Sequence, residues 1–434
     1  MKTKAFNILL GLVLFSQCIN AQMYFPPNNS NDWETTLPSS LNWCQSEIDS
    51  LYAFLNINNT KAFILLKDGK IVLEHYTKGH SASSNWYWAS AGKTITAFAV
   101  GIAQQEGYLS VTDKTSTYLG QGWTSCTPQQ EEKITIWNQL TMTTGLDDNV
   151  SNPFCTEDSC LQYLSDAGTR WAYHNAPYTL LRDVIENATG LGLNIYINQK
   201  LKNPTGMNGL FVQQGDNSVY FSTARSMARF GLLALNNGNW NGTQVLTDSN
   251  YFNSMVNTSQ NLNKSYGYLW WLNGKESYMI PQSQMVFQGS KIPNAPDDMY
   301  SAMGLNGQFI NVIPSKNMVW IRMGEAPDNS LVPYVLNNEI WKRINDLECE
   351  ALSTKEKSNN SEWKIYPNPV TDYLKVSSGK LHTPFKYSIY NTKGILVKEG
   401  VYRKGIDLSQ LSNGVYYLSA NNKEGNNVIK FIKN

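Results

Sequence analysis

The sequence has almost no net charge. Its 434 residues include 35 lysines and arginines against 34 aspartates and glutamates, which leaves a net charge of +1. There is neither an overall positive field nor a basic tract to attract a polyanion. We therefore expect no nucleic-acid partner.

Histidine is scarce as well. Four histidines occur, at positions 75, 80, 174 and 382. They offer few candidates for a Ser-His-Asp triad, and no third ligand is spaced for zinc near His75 and His80. The sequence therefore predicts no metal ion and no cofactor. We expect His174 to pack against its neighbours or to line a site.

Long apolar segments are missing after the N-terminus. No later stretch reaches the roughly 18 apolar residues that a membrane span needs, so we expect no transmembrane segment. Residues 1–21 combine the basic MKTK, the short apolar FNILLGLVLF and the small residue Ala21, which is typical of a cleaved signal peptide. Cys18 raises a lipoprotein alternative, which Gln17 disfavours because a small residue is wanted there. The sequence predicts an exported protein.

Five cysteines follow the signal peptide, and their spacing fits no zinc pattern: Cys44, Cys126, Cys155, Cys160 and Cys349. Disulfides are favoured in an exported protein. Cys155 and Cys160 flank a tight loop and are candidates for one bridge. Cys44 and Cys349 would form another if the first and last helices of the main domain pack side by side. One thiol is left over, and the connectivity stays open.

Local patterns predict an α+β fold with one antiparallel sheet for residues 22–350. Apolar runs on both sides of Asp68-Gly69 indicate a β-hairpin. Later strand-like runs are separated by turn sequences, at 266–274, 299–304, 308–314 and 318–324. Helices predicted at 42–55 and 334–347 would cover this sheet. The mostly helical residues 90–260 would form an insertion beside it, with a cleft between the two.

The composition changes near residue 350. Residues 351–362 are polar and lack apolar periodicity, which predicts a linker. Residues 363–434 alternate in short strand-like runs between turns rich in Gly and Asn. This pattern predicts a separate small β-sandwich.

A serine and a lysine open an apolar helix in WASAGKTITAFAVGIAQQEG, residues 88–107. Residues three apart lie on one helix face, so the Lys93 amine can reach the Ser90 hydroxyl. An amine buried at a helix N-terminus disfavours its own charge and could act as the general base for a serine nucleophile. The alternative is an N-capping serine followed by a solvated lysine, and the Ser-x-x-Lys pattern recurs at Ser377 and Lys380.

Tyr173 and Asn175 lie in a loop that enters another helix, in WAYHNAPYTLL. Asn175 or Ala176 is expected to cap this helix and Pro177 to open it. The Tyr173 phenol could shuttle a proton, and Asn175 could hold the lysine or a substrate amide. Tyr-x-Asn also occurs at 196–198 and 251–253, inside amphipathic helices, where packing is the better interpretation.

A strand followed by a glycine turn occurs in SAMGLNGQF, residues 301–309. Gly304 and Gly307 would allow another backbone to approach and would leave N–H groups free to face an oxyanion. Taken alone, an ordinary hairpin turn explains these glycines equally well.

Together, these elements resemble the serine hydrolases of the penicillin-binding protein and class C β-lactamase superfamily, in its esterase and 6-aminohexanoate-dimer hydrolase branch. Ser90-Ala-Gly-Lys93 is similar to the S-x-x-K motif of that superfamily, and Tyr173-His-Asn175 to its Y-x-N motif. The resemblance implies that Ser90 is acylated, that Lys93 and Tyr173 share the proton transfers, and that Asn175 orients lysine and substrate. The N–H groups of Ser90 and Leu305 would form the oxyanion hole.

The resemblance covers about residues 40–348 and departs from the superfamily at the third motif. Met303-Gly304-Leu305 stands where Lys-Thr-Gly is usual. In β-lactamases and transpeptidases that lysine and threonine help to hold the substrate carboxylate. The departure therefore favours an uncharged ester or amide as substrate, with Gly304 at the substrate-binding edge.

The β-module resembles the C-terminal sorting domain of the Bacteroidetes type IX secretion system. The similar residues are Ile365-Tyr-Pro-Asn-Pro369, the turn at 391–394, the segment 411–417 and the lysine-rich finish. The resemblance implies that the type IX machinery carries the protein through the outer membrane for secretion or surface attachment. A carbohydrate-binding sandwich is the alternative.

Aromatic residues make up 12% of the chain, with 13 Trp and 24 Tyr. Four aromatic residues flank the expected site and are candidates for a substrate-binding pocket, although core packing explains them equally well: Tyr87, Trp88, Trp270 and Trp271. Three functions follow from the sequence. They are a secreted serine hydrolase for esters or amides, a β-lactamase or D-Ala-D-Ala carboxypeptidase, and a non-catalytic surface binding protein.

Overall fold

The computed structural model describes residues 23–327, 330, 332–349, 364–377, 384–422 and 425–434. The chain divides into two compact units, Met1–Cys349 and Glu350–Asn434. The signal peptide predicted at 1–21 and the linker predicted at 351–362 lie outside the described residues.

The first unit combines strands and helices. Its strands are β1 Thr60–Lys67, β2 Lys70–Tyr76, β3 Asn85–Tyr87, β4 Leu210–Gln214, β5 Asn217–Thr223, β6 Asn239–Trp240, β7 Thr243–Gln244, β8 Trp271–Leu272, β9 Ser277–Tyr278, β10 Phe287–Gln288, β11 Tyr300–Gly304, β12 Gln308–Ile313 and β13 Met318–Gly324. Its helices are α1 Gln45–Ile57, α2 Lys93–Gln105, α3 Ser116–Leu119, α4 Pro128–Glu131, α5 Ile136–Leu140, α6 Asn175–Thr179, α7 Leu181–Thr189, α8 Leu193–Ile197, α9 Asn203–Thr205, α10 Ala224–Leu235, α11 Ser249–Met255 and α12 Tyr334–Asn345.

The main sheet is antiparallel and has the strand order β2-β1-β13-β12-β11-β8. Strands from the two ends of the unit meet where β1 pairs with β13, with Ile64 opposite Ile321. The predicted hairpin at Asp68-Gly69 joins β1 to β2, and both turn residues have positive φ. The strand predicted at 266–274 is shorter, because Leu269 has a φ of 62° and only Trp271–Leu272 pairs with β11.

Helices cover both faces of the main sheet. On one face, Trp341 of α12 packs edge-on against Trp320 of β13, and α1 packs beside α12. On the other face lies α10, where a Cβ at Gly231 would come within 2.5 Å of Val319. Since neighbouring strand residues point to opposite faces, Val319 and Trp320 meet different helices. The helix α10 belongs to the region that we expected beside the sheet, so that part of the prediction was wrong.

The helix α2 is the centre of the first unit. Every residue from Lys93 to Ala103 is buried. A helix that is enclosed on all sides needs apolar or small residues around its whole circumference, as this sequence provides. A lysine at its first position is therefore unusual.

The second unit is made of strands: β14 Lys364–Tyr366, β15 Tyr373–Ser377, β16 Phe385–Asn391, β17 Leu396–Tyr402, β18 Ile406–Asp407, β19 Gly414–Asn422 and β20 Gly425–Lys433. They form two antiparallel sheets with the orders β14-β15-β18 and β17-β16-β19-β20. Alternate side chains, including Leu374, Ile389 and Leu418, are buried in a core of their own. The sheets agree with the predicted small sandwich.

Both cysteine pairs weighed from the sequence are bonded. Cys44 is bonded to Cys349, and Cys155 to Cys160. The first bridge joins the residue that precedes α1 to the segment after α12, because these helices pack side by side. Cys126 is the free cysteine of the described residues.

Candidate active site

Ser90 lies in a tight helical turn that leads into α2. Residues Ala89–Gly92 form this 3-10 turn, and α2 begins at Lys93. Trp88 anchors the turn, since its backbone N–H donates to the carbonyl of Tyr220 and its indole N–H donates to the hydroxyl of Ser222. Ser90 is half-buried as a result, with its side chain at the wall of a cavity.

The amine of Lys93 lies between Ser90 and Asn175. Its Nζ is 3.4 Å from Ser90 Oγ and donates to Asn175 Oδ1 over 2.9 Å. The residue is only 4% exposed, and the ion pairs found among the described residues do not include it. Burial lowers the pKa of Lys93 from 10.5 to about 7. Near neutral pH a large fraction of this amine is therefore uncharged and able to accept a proton.

The phenol of Tyr173 lies with Ser90 in the wall of the same cavity. Burial raises the pKa of Tyr173, and the interaction of its phenol with the Ser90 side chain offsets part of that rise. Its ring stacks on Trp271 with centroids 5.7 Å apart. The structure thus brings Ser90, Lys93, Tyr173 and Asn175 together from separate segments of the chain.

The segment that carries Tyr173 and Asn175 enters α6. This helix begins at Asn175 with His174 at its N-cap, so the cap that we expected at Asn175 or Ala176 is one residue earlier. Tyr178 lies three residues further along, and its ring centroid is 4.0 Å from the Lys93 amine. The sequence analysis missed Tyr178, although its spacing from Asn175 puts both on one helix face.

Gly304 ends β11 directly behind Ser90. A Cβ at this position would collide with the carbonyl of Trp88 and would lie 3.2 Å from the backbone nitrogen of Ser90. Only glycine allows this approach. The next residue, Leu305, starts the turn Leu305–Gly307, is 41% exposed and lines the cavity. Gly304 itself stands behind Ser90 and does not line the cavity wall.

A cavity of about 700 Å³ opens in front of Ser90. Its wall includes three aromatic side chains from different segments, Tyr87, Phe154 and Phe221. The acidic group in the wall, Asp148, is neutralised by Arg170 at 2.7 Å. Apart from Asp148 and Lys93, the residues that line the cavity are apolar or carry neutral amides and hydroxyls.

The three tryptophans proposed as pocket walls are core residues, and that prediction was wrong. Trp88 and Trp270 are fully buried and pack on Phe230. Trp271 is buried behind Tyr173 and reaches the site only through that ring. Tyr87, the fourth aromatic candidate, does line the cavity. Phe221 was missed, because it reaches the wall through the long-range pairing of its strand with that of Tyr87.

The three histidines that the structure describes do not line the cavity. His174 is buried, and burial lowers its pKa to about 4, so the ring is neutral at physiological pH. His75 stacks on Tyr52 with centroids 4.0 Å apart. No group of three or more His, Cys, Asp or Glu side chains placed to hold a metal ion occurs in the described part of the chain.

An antiparallel sheet flanked by helices, with a serine and a lysine at the start of a buried helix, defines a β-lactamase/transpeptidase-like fold. The beta-lactamase family profile matches residues 60–329. The chain therefore belongs to the β-lactamase family, whose members are serine hydrolases.

Relatives of this chain are distant. An uncharacterised protein of Alkalihalophilus pseudofirmus is 22% identical over 313 residues, which cover 62% of this chain and 87% of that protein. Penicillin-binding protein 4* of Bacillus subtilis is 27% identical over 170 residues, which cover 33% of this chain and 36% of that protein. The second match therefore spans about a third of that relative.

Solved structures share the fold at low identity. A candidate 6-aminohexanoate-dimer hydrolase from Bacillus anthracis superposes with a TM-score of 0.56 at 20% identity, covering 75% of this chain and 91% of that one. A candidate β-lactamase from Bacteroides dorei gives a TM-score of 0.56 at 15% identity, with 70% and 99% covered.

The second unit has its own family. Residues 364–434 match the secretion system C-terminal sorting domain. This domain directs export by the type IX machinery, so the protein is secreted or held at the cell surface. Among the described residues, no helix is long and apolar enough to cross a membrane.

Proposed function

We propose that this protein is a secreted serine hydrolase that cleaves an uncharged ester or amide through an acyl-enzyme on Ser90. The observation that carries the proposal is the buried Lys93 amine, 3.4 Å from the Ser90 hydroxyl and without an acidic partner among the described residues. An amine in this environment can take the hydroxyl proton as the oxygen attacks.

The proton then has a route to the leaving group. Ser90 Oγ forms a bond with the substrate carbonyl carbon, and its proton passes to Lys93. The Tyr173 phenol, which lines the cavity with Ser90, delivers a proton to the departing oxygen or nitrogen as its bond to the carbonyl carbon breaks. Lys93 then returns a proton to the phenol. In the second half, a water oxygen bonds to the acyl carbon and gives its proton to Tyr173, which passes a proton on to Lys93. The bond from that carbon to Ser90 Oγ breaks, and Lys93 returns a proton to Ser90. Asn175 holds the amine in place throughout this cycle.

The developing oxyanion needs donors from the backbone. The N–H groups of Ser90 and Leu305 are the candidates, since Gly304 brings the two segments into contact. Such preorganised donors stabilise a tetrahedral intermediate more than a ground-state carbonyl.

The lining of the cavity supports a neutral substrate. A substrate carboxylate would find no unpaired arginine in the wall, and Met303-Gly304-Leu305 lacks the lysine and threonine of Lys-Thr-Gly. A β-lactamase or D-Ala-D-Ala carboxypeptidase is the second candidate. The match to penicillin-binding protein 4* favours it, and the absent carboxylate partners count against it. A non-catalytic binding protein would not need the buried lysine and tyrosine.

Hydrolysis of short-chain p-nitrophenyl esters tests the proposal. We expect turnover by the wild type and its loss in Ser90→Ala, with a fluorophosphonate probe and intact mass both reporting one adduct at Ser90. Ser377→Ala, in another Ser-x-x-Lys pattern of the chain, is the matched control and keeps full activity. Nitrocefin turnover that equals ester turnover would support the β-lactamase instead, and a wild type that neither turns over nor reacts would support the binding protein.

A further inference from the structure

Arg322 is a fully buried arginine in β13, with 0% of its surface exposed. The ion pairs of the described residues do not include it. Its guanidinium donates instead to uncharged oxygens: Thr60 Oγ1, Asn306 O, Gly307 O, Asn58 O and Glu325 O, at 2.7 to 3.0 Å. Burial lowers the pKa of Arg322 to about 9, which still leaves the group charged at neutral pH.

Two of these acceptors belong to the turn that follows Gly304. Nη1 of Arg322 donates to the carbonyls of Asn306 and Gly307, at 3.0 and 2.7 Å. The side chain of Gln308 donates to the carbonyl of Leu305 at 3.2 Å. Side-chain donors therefore hold every carbonyl of Leu305–Gly307, in which Asn306 has a positive φ of 62°.

The space for the guanidinium is made by two glycines. A Cβ at Gly307 would lie 2.5 Å from Nη1, and a Cβ at Gly324 would lie 2.7 Å from Nη2. Arg322 thus occupies a recess whose walls cannot carry side chains. A charge buried without a counter-ion costs stability unless its donors are satisfied. This recess satisfies them with the same carbonyls that shape the turn.

We infer that Arg322 is a positioning residue for the reaction, which holds the turn Leu305–Gly307 so that the Leu305 N–H faces the substrate oxyanion. The inference rests on the proposed function of Ser90. Arg322 does not line the cavity, but it would fix the position of one of the two backbone donors of the oxyanion hole. A donor that is fixed in advance needs no reorganisation when charge develops, and this is the source of its catalytic effect.

Arg322→Lys tests the inference, because lysine keeps the charge but cannot span all five acceptors. We expect kcat for p-nitrophenyl butyrate to fall about 10²-fold, as when one oxyanion donor is lost, while KM stays within about threefold. Gly324→Ala, whose Cβ would displace the guanidinium from outside the turn while Arg322 is retained, should have the same effect. Thr60→Val is the matched control, since it removes an acceptor on the far side of the guanidinium, and it should retain most of kcat.

A second readout does not depend on activity. Hydrogen exchange followed by mass spectrometry, at a temperature below the melting transition of the variant, should show faster exchange in the peptide covering 303–309 in Arg322→Lys. The inference would be overturned if kcat and exchange were unchanged in Arg322→Lys and in the glycine variant. It would also be overturned if Thr60→Val lost as much kcat as these two variants. A wild type without Ser90-dependent hydrolysis would overturn the proposed function, and the exchange data would then still decide whether Arg322 holds the turn.

Discussion

Lys93 donates a hydrogen bond to the side-chain oxygen of Asn175 over 2.9 Å. Because the acceptor is an amide and carries no charge, it orients the amine without strongly favouring its protonated form. A carboxylate at the same place would raise the pKa of the lysine. The choice of asparagine therefore fits an amine whose pKa lies at about 7.

The Asn175→Asp substitution tests this relationship. In the wild type, kcat/KM should rise with pH through about 7, as Lys93 loses its proton. In Asn175→Asp we expect this acid limb to move up by about one to three pH units. A pH profile with p-nitrophenyl acetate measures it. Asn175→Ala, which adds no charge, is the control, and an acid limb at the same pH in both variants would contradict the assignment.

The low pKa of Lys93 also makes a prediction about stability. The folded-state pKa of about 7 lies below the ordinary 10.5. Between these values the unfolded chain binds more protons, so the wild type gains stability as pH rises. Lys93→Met lacks this gain. The difference in free energy of unfolding, variant minus wild type, should fall as pH rises from about 7 to 10 in urea titrations. A difference that is constant with pH would argue against a depressed pKa.

Tyr173→Phe should slow acylation strongly and leave the fold intact. The substitution removes the hydroxyl proposed to pass the proton to the leaving group and keeps the ring that stacks on Trp271. Loss of a general acid or base costs about 10²- to 10⁴-fold in rate. Stopped-flow measurement of the p-nitrophenol burst, together with circular dichroism, separates the two effects. Near-normal acylation in a folded variant would remove Tyr173 from the proton transfers.

The Cys155–Cys160 bridge should control access to the cavity. It closes the segment directly after Pro153 and Phe154, which line the cavity, and the carbonyl of Pro153 accepts from the N–H of Ala176. We expect the double variant Cys155→Ser/Cys160→Ser to raise KM for long-chain esters several-fold and to leave the acetate ester unaffected. Cys126→Ser, at the free cysteine, is the control. An equal change for both esters would show that the bridge has no part in substrate size.

Several local features could be predicted from the sequence. The hairpin at Asp68-Gly69 formed where its turn residues indicated, because those residues accept positive φ at low cost. The Tyr-x-Asn patterns at 196–198 and 251–253 were interpreted as packing, and Tyr251 indeed donates to a backbone carbonyl of α2. Such features depend on neighbours in the chain.

The sequence did not indicate whether the tryptophans face the cavity or the core. Trp88, Trp270 and Trp271 are all buried, and none of them lines the cavity. Whether an aromatic residue faces a cavity or the core depends on which distant strand packs over it. The packing of α10 on the main sheet was not predicted either, because it also depends on contacts between distant segments.

The sequence alone determined the two families and the export route. It also determined that the Ser90 and Lys93 side chains are close together, because residues three apart share one face of a helix. Tertiary structure decided that Lys93 is enclosed, that Asn175 and Tyr173 reach it, and that Arg322 lies behind the Leu305 turn. Desolvation of a charge and contacts between remote segments exist only after the chain has packed, so no local pattern encodes them.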